Sequence, residues 1–210
     1  MAAFWVEKRF YDRVAASGNS MKELRELTAY NRINALSTVY HARHGWIGTA
    51  FSAAELVTAL YFRLIPHGGG DRVLLSKGHA AAIQYAALAG LGIIELSALT
   101  RYKEKDGPQA HTDIAAPGIS INSGSLGQTL SKAFGMAWQR PERCYVVMGD
   151  GELQEGQNFE ALMTIAHYRQ TNVIPIIDRN FIQSDSQVSD VKGIANLPES
   201  HAPGRAAPAR

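Results

Sequence analysis

The sequence predicts an α/β domain built on a mostly parallel sheet flanked by helices, and three stretches carry that prediction. Cys144-Tyr-Val-Val-Met148 and Asn172-Val-Ile-Pro-Ile-Ile-Asp178 are short apolar, β-branched runs. Each stops at small polar residues, Gly149-Asp150-Gly151-Glu152 after the first and Arg179-Asn180 after the second, the pattern of buried parallel strands that deliver loops at their carboxyl ends. Between them, Glu155 to Gln170 reads as a helix with Phe159, Leu162, Met163 and Ala166 on one face. Strand, helix, strand closes as a right-handed crossover, so Asp150 and Asn180 are expected to emerge side by side at one sheet edge.

In chain order, residues 1–20 are irregular in pattern and form an extension ending in Ser17-Gly18-Asn19-Ser20. Ser20 with Glu23 makes a capping box for a helix from Met21 to about Tyr40, with Leu24, Leu27, Ile33 and Leu36 facing inward. After the loop His41 to Gly48, Ser52-Ala-Ala-Glu55 repeats the capping-box pattern, and Ala53, Leu56, Val57, Leu60 and Leu64 form a helical stripe. Arg72 to Leu75 reads as a short buried strand, which Ser76-Lys-Gly-His79 turns into an alanine-rich helix through about Leu88. Glu95 to Tyr102 is a short helix, and Lys103 to Ile121 a loop long enough to be functional or disordered. Ser125 to Trp138 reads as a helix carrying Leu126, Leu130, Ala133, Phe134 and Ala137. The main domain is expected over 21–196, preceded by the extension over 1–20 and followed by a tail over 197–210 whose Pro, Ala and Gly content reads as disordered.

Composition narrows the function classes. A chain of 210 residues, 46% of them hydrophobic, is enough for one α/β domain with a substantial core. Lys+Arg 21 against Asp+Glu 19 leaves +2, with no basic run, which argues against nucleic acid as a partner. The single cysteine, Cys144, lies inside a predicted strand, so no intramolecular disulfide exists and a reducing compartment fits. The start lacks a signal peptide's order, and no apolar run reaches the roughly 20 residues of a membrane span. The reading is a cytoplasmic protein with no membrane partner.

The two strand ends suggest chemistry. A carboxylate (Asp150) and a carboxamide oxygen (Asn180) at neighbouring strand ends are hard ligands suited to Mg²⁺, which takes its remaining ligands from water and a bound phosphate. Gly151 removes the side chain where a backbone N–H would approach that phosphate, and the following helix N-terminus adds partial positive charge. Either motif alone reads equally as ordinary turn residues; finding both one crossover apart favours a metal-diphosphate site.

These residues carry a family resemblance. Gly149-Asp150-Gly151 with Asn180 resembles the thiamine-diphosphate fingerprint, and the run Gly149 to Ala161 resembles its transketolase version. Asp71 to Ala80, Ala110-His111 and Ser123-Gly-Ser-Leu-Gly-Gln128 match the family in the same order, over roughly residues 20–190. The resemblance implies thiamine diphosphate and Mg²⁺ as cofactors. Asp150, Asn180 and the Ile182 carbonyl would hold the metal, Gly149, Gly151 and His79 the diphosphate, and Gly124 and Leu126 the aminopyrimidine. It implies catalytic roles for His79, for His111 near the substrate, and for Glu155 in communication between paired sites. The bland alternatives are a helix-cap histidine, a loop histidine, a core leucine and a first-turn glutamate.

The chain also departs from the family. Gly45-Trp46-Ile47-Gly48 stands where members commonly carry Gly-His-x-Gly, and Trp donates one hydrogen bond but shuttles no proton. After Asp185 the family continues with another strand and a further active-site histidine, which leaves open whether this sheet keeps its last strand. The pyrimidine-binding domain that supplies the activating glutamate is not in this sequence. The resemblance therefore implies the amino-terminal subunit of a split transketolase, paired with a second polypeptide carrying the pyrimidine domain as an α2β2 assembly, and moving a two-carbon ketol unit from a ketose donor to an aldehyde acceptor. The alternatives are a 2-oxo acid dehydrogenase or acyl-transferase component, and a catalytically idle partner subunit.

Overall fold

The computed structural model describes residues 4–18, 20–65 and 69–192; the tail read as disordered lies outside the described residues. Three parallel strands, β1 (Arg72–Leu75), β2 (Cys144–Gly149) and β3 (Val173–Asp178), form a sheet in the order β1-β2-β3. Helices lie on both faces, and the side-chain alternation of β2 shows why. Tyr145 and Val147 point into one core with α2 (Met21–Ala42), α4 (Ala54–Ala59) and α5 (Ala81–Gly90). Cys144, Val146 and Met148 point into the other with α6 (Thr129–Ala137) and α7 (Gly156–His167). Every residue of α5 is buried, and its run of alanines lets it sit all but backbone-close between α2 and the sheet. No helix among the described residues is long and apolar enough to cross a membrane.

The sequence pattern is accurate for where several elements lie and less so for which face they bury. β1 occupies the predicted residues, and Ser20 and Glu23 form the capping box of α2 with both reciprocal hydrogen bonds. The inward face of α2, however, is polar. Asn31, Asn34, Ser37 and Thr38 are buried, whereas Ile33 and Leu36 are exposed. The residues before α2 explain this, because they are not irregular throughout: Lys8–Ser17 forms α1, whose Tyr11 donates to Asn31 Oδ1 at 3.0 Å. Asn34 grips the strap ahead of it, accepting from the Val6 N–H at 2.7 Å and donating to the Val6 carbonyl at 2.9 Å. Amides satisfying a buried backbone outcompete leucine on that face.

The second capping box does not form. α3 (Ile47–Ser52) ends at Ser52, whose hydroxyl donates to the Asp178 carboxylate instead, and Leu64 is exposed. The helix expected from Ser125 starts only at Thr129, because Gly127 is in the left-handed region (φ 82°) and gives its N–H to Glu152 Oε1 at 2.8 Å. α7 buries Asn158 and Ala161 rather than Phe159 and Met163. A 3₁₀ turn over Gly151–Gln154 precedes it, and the Asn158 amide, donating to the Glu152 carbonyl at 2.7 Å, sets the phase of the helix. β3 is buried only at its ends, Val173 and Asp178, with half-buried and exposed residues alternating between them, rather than being buried throughout. Among the described residues it pairs on one side only, and Pro175, which has no N–H to give, suits an edge.

Candidate functional site

All three strands end at the same side of the sheet, and the chemistry-bearing residues follow those ends. Gly149 pairs with Asp178 in register, so the loops after β2 and β3 leave side by side. The Asp150 N–H donates to the Asp178 carbonyl at 3.2 Å. Asp150 is buried, and its two carboxylate oxygens are aimed by backbone groups: Oδ1 accepts from the Gly151 N–H at 3.0 Å, Oδ2 from the Phe181 N–H at 2.7 Å. Asn180 Oδ1 accepts from the Ile182 N–H at 2.9 Å. Ile182 opens a two-strand hairpin, β4 (Ile182–Gln183) with β5 (Ser186–Gln187), whose corners Phe181 (φ 65°) and Ser184 (φ 49°) are left-handed. Non-glycine residues held there mark a locally over-determined loop.

Gly151 is where the loop after β2 and the hairpin come closest. A Cβ there would stand 2.7 Å from Gln183 Cβ and from Gln183 Oε1, so the glycine is required by the close approach of the hairpin. That same Gln183 Oε1 is buried without a hydrogen-bond partner among the described residues. An unspent carboxamide oxygen beside oriented carboxylate and amide oxygens fits a cation or a hydrogen-bond donor. The hard oxygen donors of Asp150 and Asn180 fit Mg²⁺.

The histidines converge on a second set of loops. His79 lies in the 3₁₀ turn Gly78–Ala80 after β1, and its ring centroid is 6.4 Å from that of Trp46. His111 is 5.3 Å from Trp46 and is fixed by its backbone, the Tyr85 hydroxyl donating to its carbonyl at 3.2 Å. Gly78 permits this convergence, since a Cβ there would collide with Ser123 Oγ and stand 3.0 Å from His111 Cδ2. Gly124 lies against the His111 ring, Leu126 is half-buried in the following turn, and Glu155 is exposed at the start of α7 with its Cβ toward Gly127. Among the described residues no contact joins Glu155 to the imidazoles.

Three functional candidates stand beyond those expected. Lys77 and Asp178 form a buried ion pair, their side chains 1% and 9% exposed. The Ser52 hydroxyl also donates to this carboxylate, and Asn180 Nδ2 lies 3.5 Å from it. One charge pair thus joins the loop that carries His79 to the loop that carries Asn180. Glu152, also buried, accepts from the Ser76 hydroxyl, from Gly127 N–H and from Gly149 N–H at 3.3 Å. Burial pushes its carboxyl up against the pull of those hydrogen bonds. Lys77 and Glu152 sit inside the matched motifs, but only their burial separates them from ordinary surface charges.

Both imidazoles are neutral at pH 7. Burial, then the nearby Lys77 charge, then His111, lower His79 to about 4, and burial followed by Lys103 lowers His111. The unfolded chain takes a proton on His79 as pH falls through its ordinary 6.5, whereas the folded chain does so only near 4. The associated stability is complete above pH 6.5 and is lost as pH falls from 6.5 to 4. His79→Gln is expected to flatten the fall of Tm in that window; equal slopes in the two proteins would mean the imidazole is solvated.

A depression of about 460 Å³ lies elsewhere, among Trp138, Arg140, Tyr168 and Gln170 at the amino ends of β2 and β3. Ligands of open α/β sheets bind at the carboxyl ends, so the loops described above, not this depression, are the candidate site.

Comparison with known proteins agrees with that geometry. Residues 24–195 match the family described as "Transketolase, thiamine diphosphate binding domain". The chain is 33% identical over 180 residues to an apulose-4-phosphate transketolase subunit of Phocaeicola vulgatus, a match that covers 80% of this chain and 64% of that protein. It is 36% identical over 167 residues to the 6-deoxy-6-sulfo-D-fructose transketolase subunit SqwG of a Clostridium species, covering 73% of this chain and 61% of that one. It therefore spans less than two thirds of the length of these relatives. Among solved structures, transketolase from Leishmania mexicana superposes with a TM-score of 0.75 at 26% identity, over 84% of this chain and 30% of that one.

Proposed function

The chain belongs to the transketolase family, and from that premise we propose that it is the diphosphate-binding subunit of a two-component enzyme that transfers a two-carbon ketol unit from a ketose to an aldehyde. In that transfer the C2–C3 bond of the donor breaks, and its C3 hydroxyl gives up a proton as the shortened aldehyde leaves. The two-carbon unit then bonds to the acceptor's carbonyl carbon, whose oxygen takes up a proton, so no electrons enter or leave overall. Thiamine diphosphate, when bound, supplies the nucleophilic carbon and the electron sink for this exchange.

The observation that carries the reading is the pair of Asp150 and Asn180 oxygens that backbone N–H groups already orient, with the unspent Gln183 carboxamide oxygen against Gly151 beside them. Such outer partners fix metal ligands before the metal arrives. Asp150, Asn180 and the Ile182 carbonyl are assigned to Mg²⁺; Gly149, Gly151 and His79 to the diphosphate; Gly124 and Leu126 to the aminopyrimidine. His79, kept neutral, offers an N–H donor without a positive charge, and His111 is assigned to hold or return a proton at the substrate oxygen. Glu155 is assigned to communication between paired sites, which suits its exposure on the same loop system.

A second polypeptide with the pyrimidine-binding domain completes the site in this reading, most simply as α2β2. The names of the two relatives, each a transketolase subunit, support a partner. The cytoplasm is the proposed compartment, on the single buried Cys144. The test is calorimetric titration of thiamine diphosphate with Mg²⁺ into this chain alone and into its mixture with the pyrimidine-domain polypeptide. Binding is expected to appear or tighten strongly in the mixture and to vanish when Mg²⁺ is removed. If neither binds, the reading that remains is an idle partner subunit.

A further inference from the structure

We infer that Trp46 is a specificity-determining residue that favours an acceptor aldehyde with an apolar substituent over a hydroxylated one. The inference rests on the transfer proposed above and names the substrate class of the same site. The indole meets three imidazoles, with centroids 5.3 Å from His111, 6.4 Å from His79 and 6.0 Å from His44. Even so, 42% of the residue is exposed. The bare part is a large apolar surface at the lip of the histidine cluster. The side chains of His79 and His111 have no hydrogen-bond partner among the described residues. The His111 imidazole is therefore free to meet the oxygens of the reacting carbons, while the indole, with one N–H donor and no acceptor, is poorly matched to a run of hydroxyls.

Charge near the cluster does not favour an anionic tail either. Lys77 is buried and committed to Asp178. The exposed Lys103 lines an adjoining depression of about 310 Å³ together with His41, His44 and Glu104, where a carboxylate is already at hand. What this chain offers at Trp46 to the part of the substrate beyond its reacting carbons is aromatic surface, and alkyl or aryl groups gain most from it.

Propanal and glycolaldehyde test this directly, because they differ by a methyl in place of a hydroxyl. Their ketol-transfer products, a dihydroxypentanone and erythrulose, differ in the same way, and their binding is read with no acceptor aldehyde present, so that it needs no complete transfer. Binding of both ketoses to the assembled, cofactor-loaded protein is measured by calorimetry, and the kcat/KM ratio for the two aldehydes is measured with one ketose donor held fixed. Wild type, Trp46→Phe and Trp46→His are compared. A preference of about tenfold for the methyl-bearing ligand is expected in wild type, kept in Trp46→Phe and lost or reversed in Trp46→His, the scale on which apolar pockets discriminate small groups. Equal binding ratios in wild type and Trp46→His, or no binding of either ketose at millimolar concentration, would overturn the inference. The expected binding preference without transfer to either aldehyde would instead remove the proposed reaction and leave selection by Trp46 standing.

Discussion

Asp150→Ala is expected to weaken Mg²⁺-dependent binding of thiamine diphosphate by at least about a hundredfold, since loss of a mere outer partner of a metal ligand already costs 10–100-fold. The carboxylate is the one full negative charge assigned to the metal, and its two oxygens are held by the Gly151 and Phe181 N–H groups. Removing it also leaves those two backbone donors short of an acceptor, at about 1–3 kcal/mol for each that stays buried. Some loss of Tm therefore accompanies the alanine variant, within the 5–15 kcal/mol by which domains are stable. Asp150→Asn separates the two effects. It keeps one acceptor oxygen and the shape of the loop while losing the charge, so cofactor binding should fall with a smaller change in Tm. If either variant binds the cofactor as tightly as wild type, the metal has been assigned to the wrong residues.

Much of what positions this site is legible in the sequence because it is local. β1 and the end of β2 are apolar runs cut off by Ser76 and Gly149, and the α2 cap is two residues, Ser20 and Glu23, that bond each other. The crossover rule then suffices to bring Asp150 beside Asn180. What is not legible depends on partners far away in the chain. No periodicity announces that Asn31 and Asn34 will outrank Ile33 and Leu36 for the inside of α2, because the groups they satisfy, Tyr11 and Val6, lie in a segment that itself looks irregular. The Ser52 capping box fails for the same reason: a carboxylate 126 residues later takes the hydroxyl. The half-exposed β3 is a further case, since a strand's burial is set by what lies beside it and its own composition is only half of that.

The same long-range logic makes Lys77→Met the most informative single change to the scaffold. Breaking a buried pair by removing one partner costs about 3–5 kcal/mol, because the other charge is left uncompensated. At about 2–4 °C per kcal/mol for a domain of this size, Tm should fall by roughly 6–20 °C. Asp178 would retain the Ser52 hydroxyl but no cation. The double variant Lys77→Met/Asp178→Asn removes both charges and should recover most of the loss, as neighbours in one network are not additive. A fall of less than about 2 °C in the single variant would mean that the pair is solvated and does not tie the loops together. A second readout separates bulk stability from site geometry. Burial is the main cause of the low His79 pKa and the Lys77 charge the next, so in Lys77→Met the imidazole should titrate at a higher pH while remaining below its ordinary value. The ion pair joins the loop that carries Asn180 to the loop that carries His79, and its Lys77 adds to the lowering of that imidazole, which is why one substitution should be felt in both the assigned metal loop and the assigned diphosphate loop.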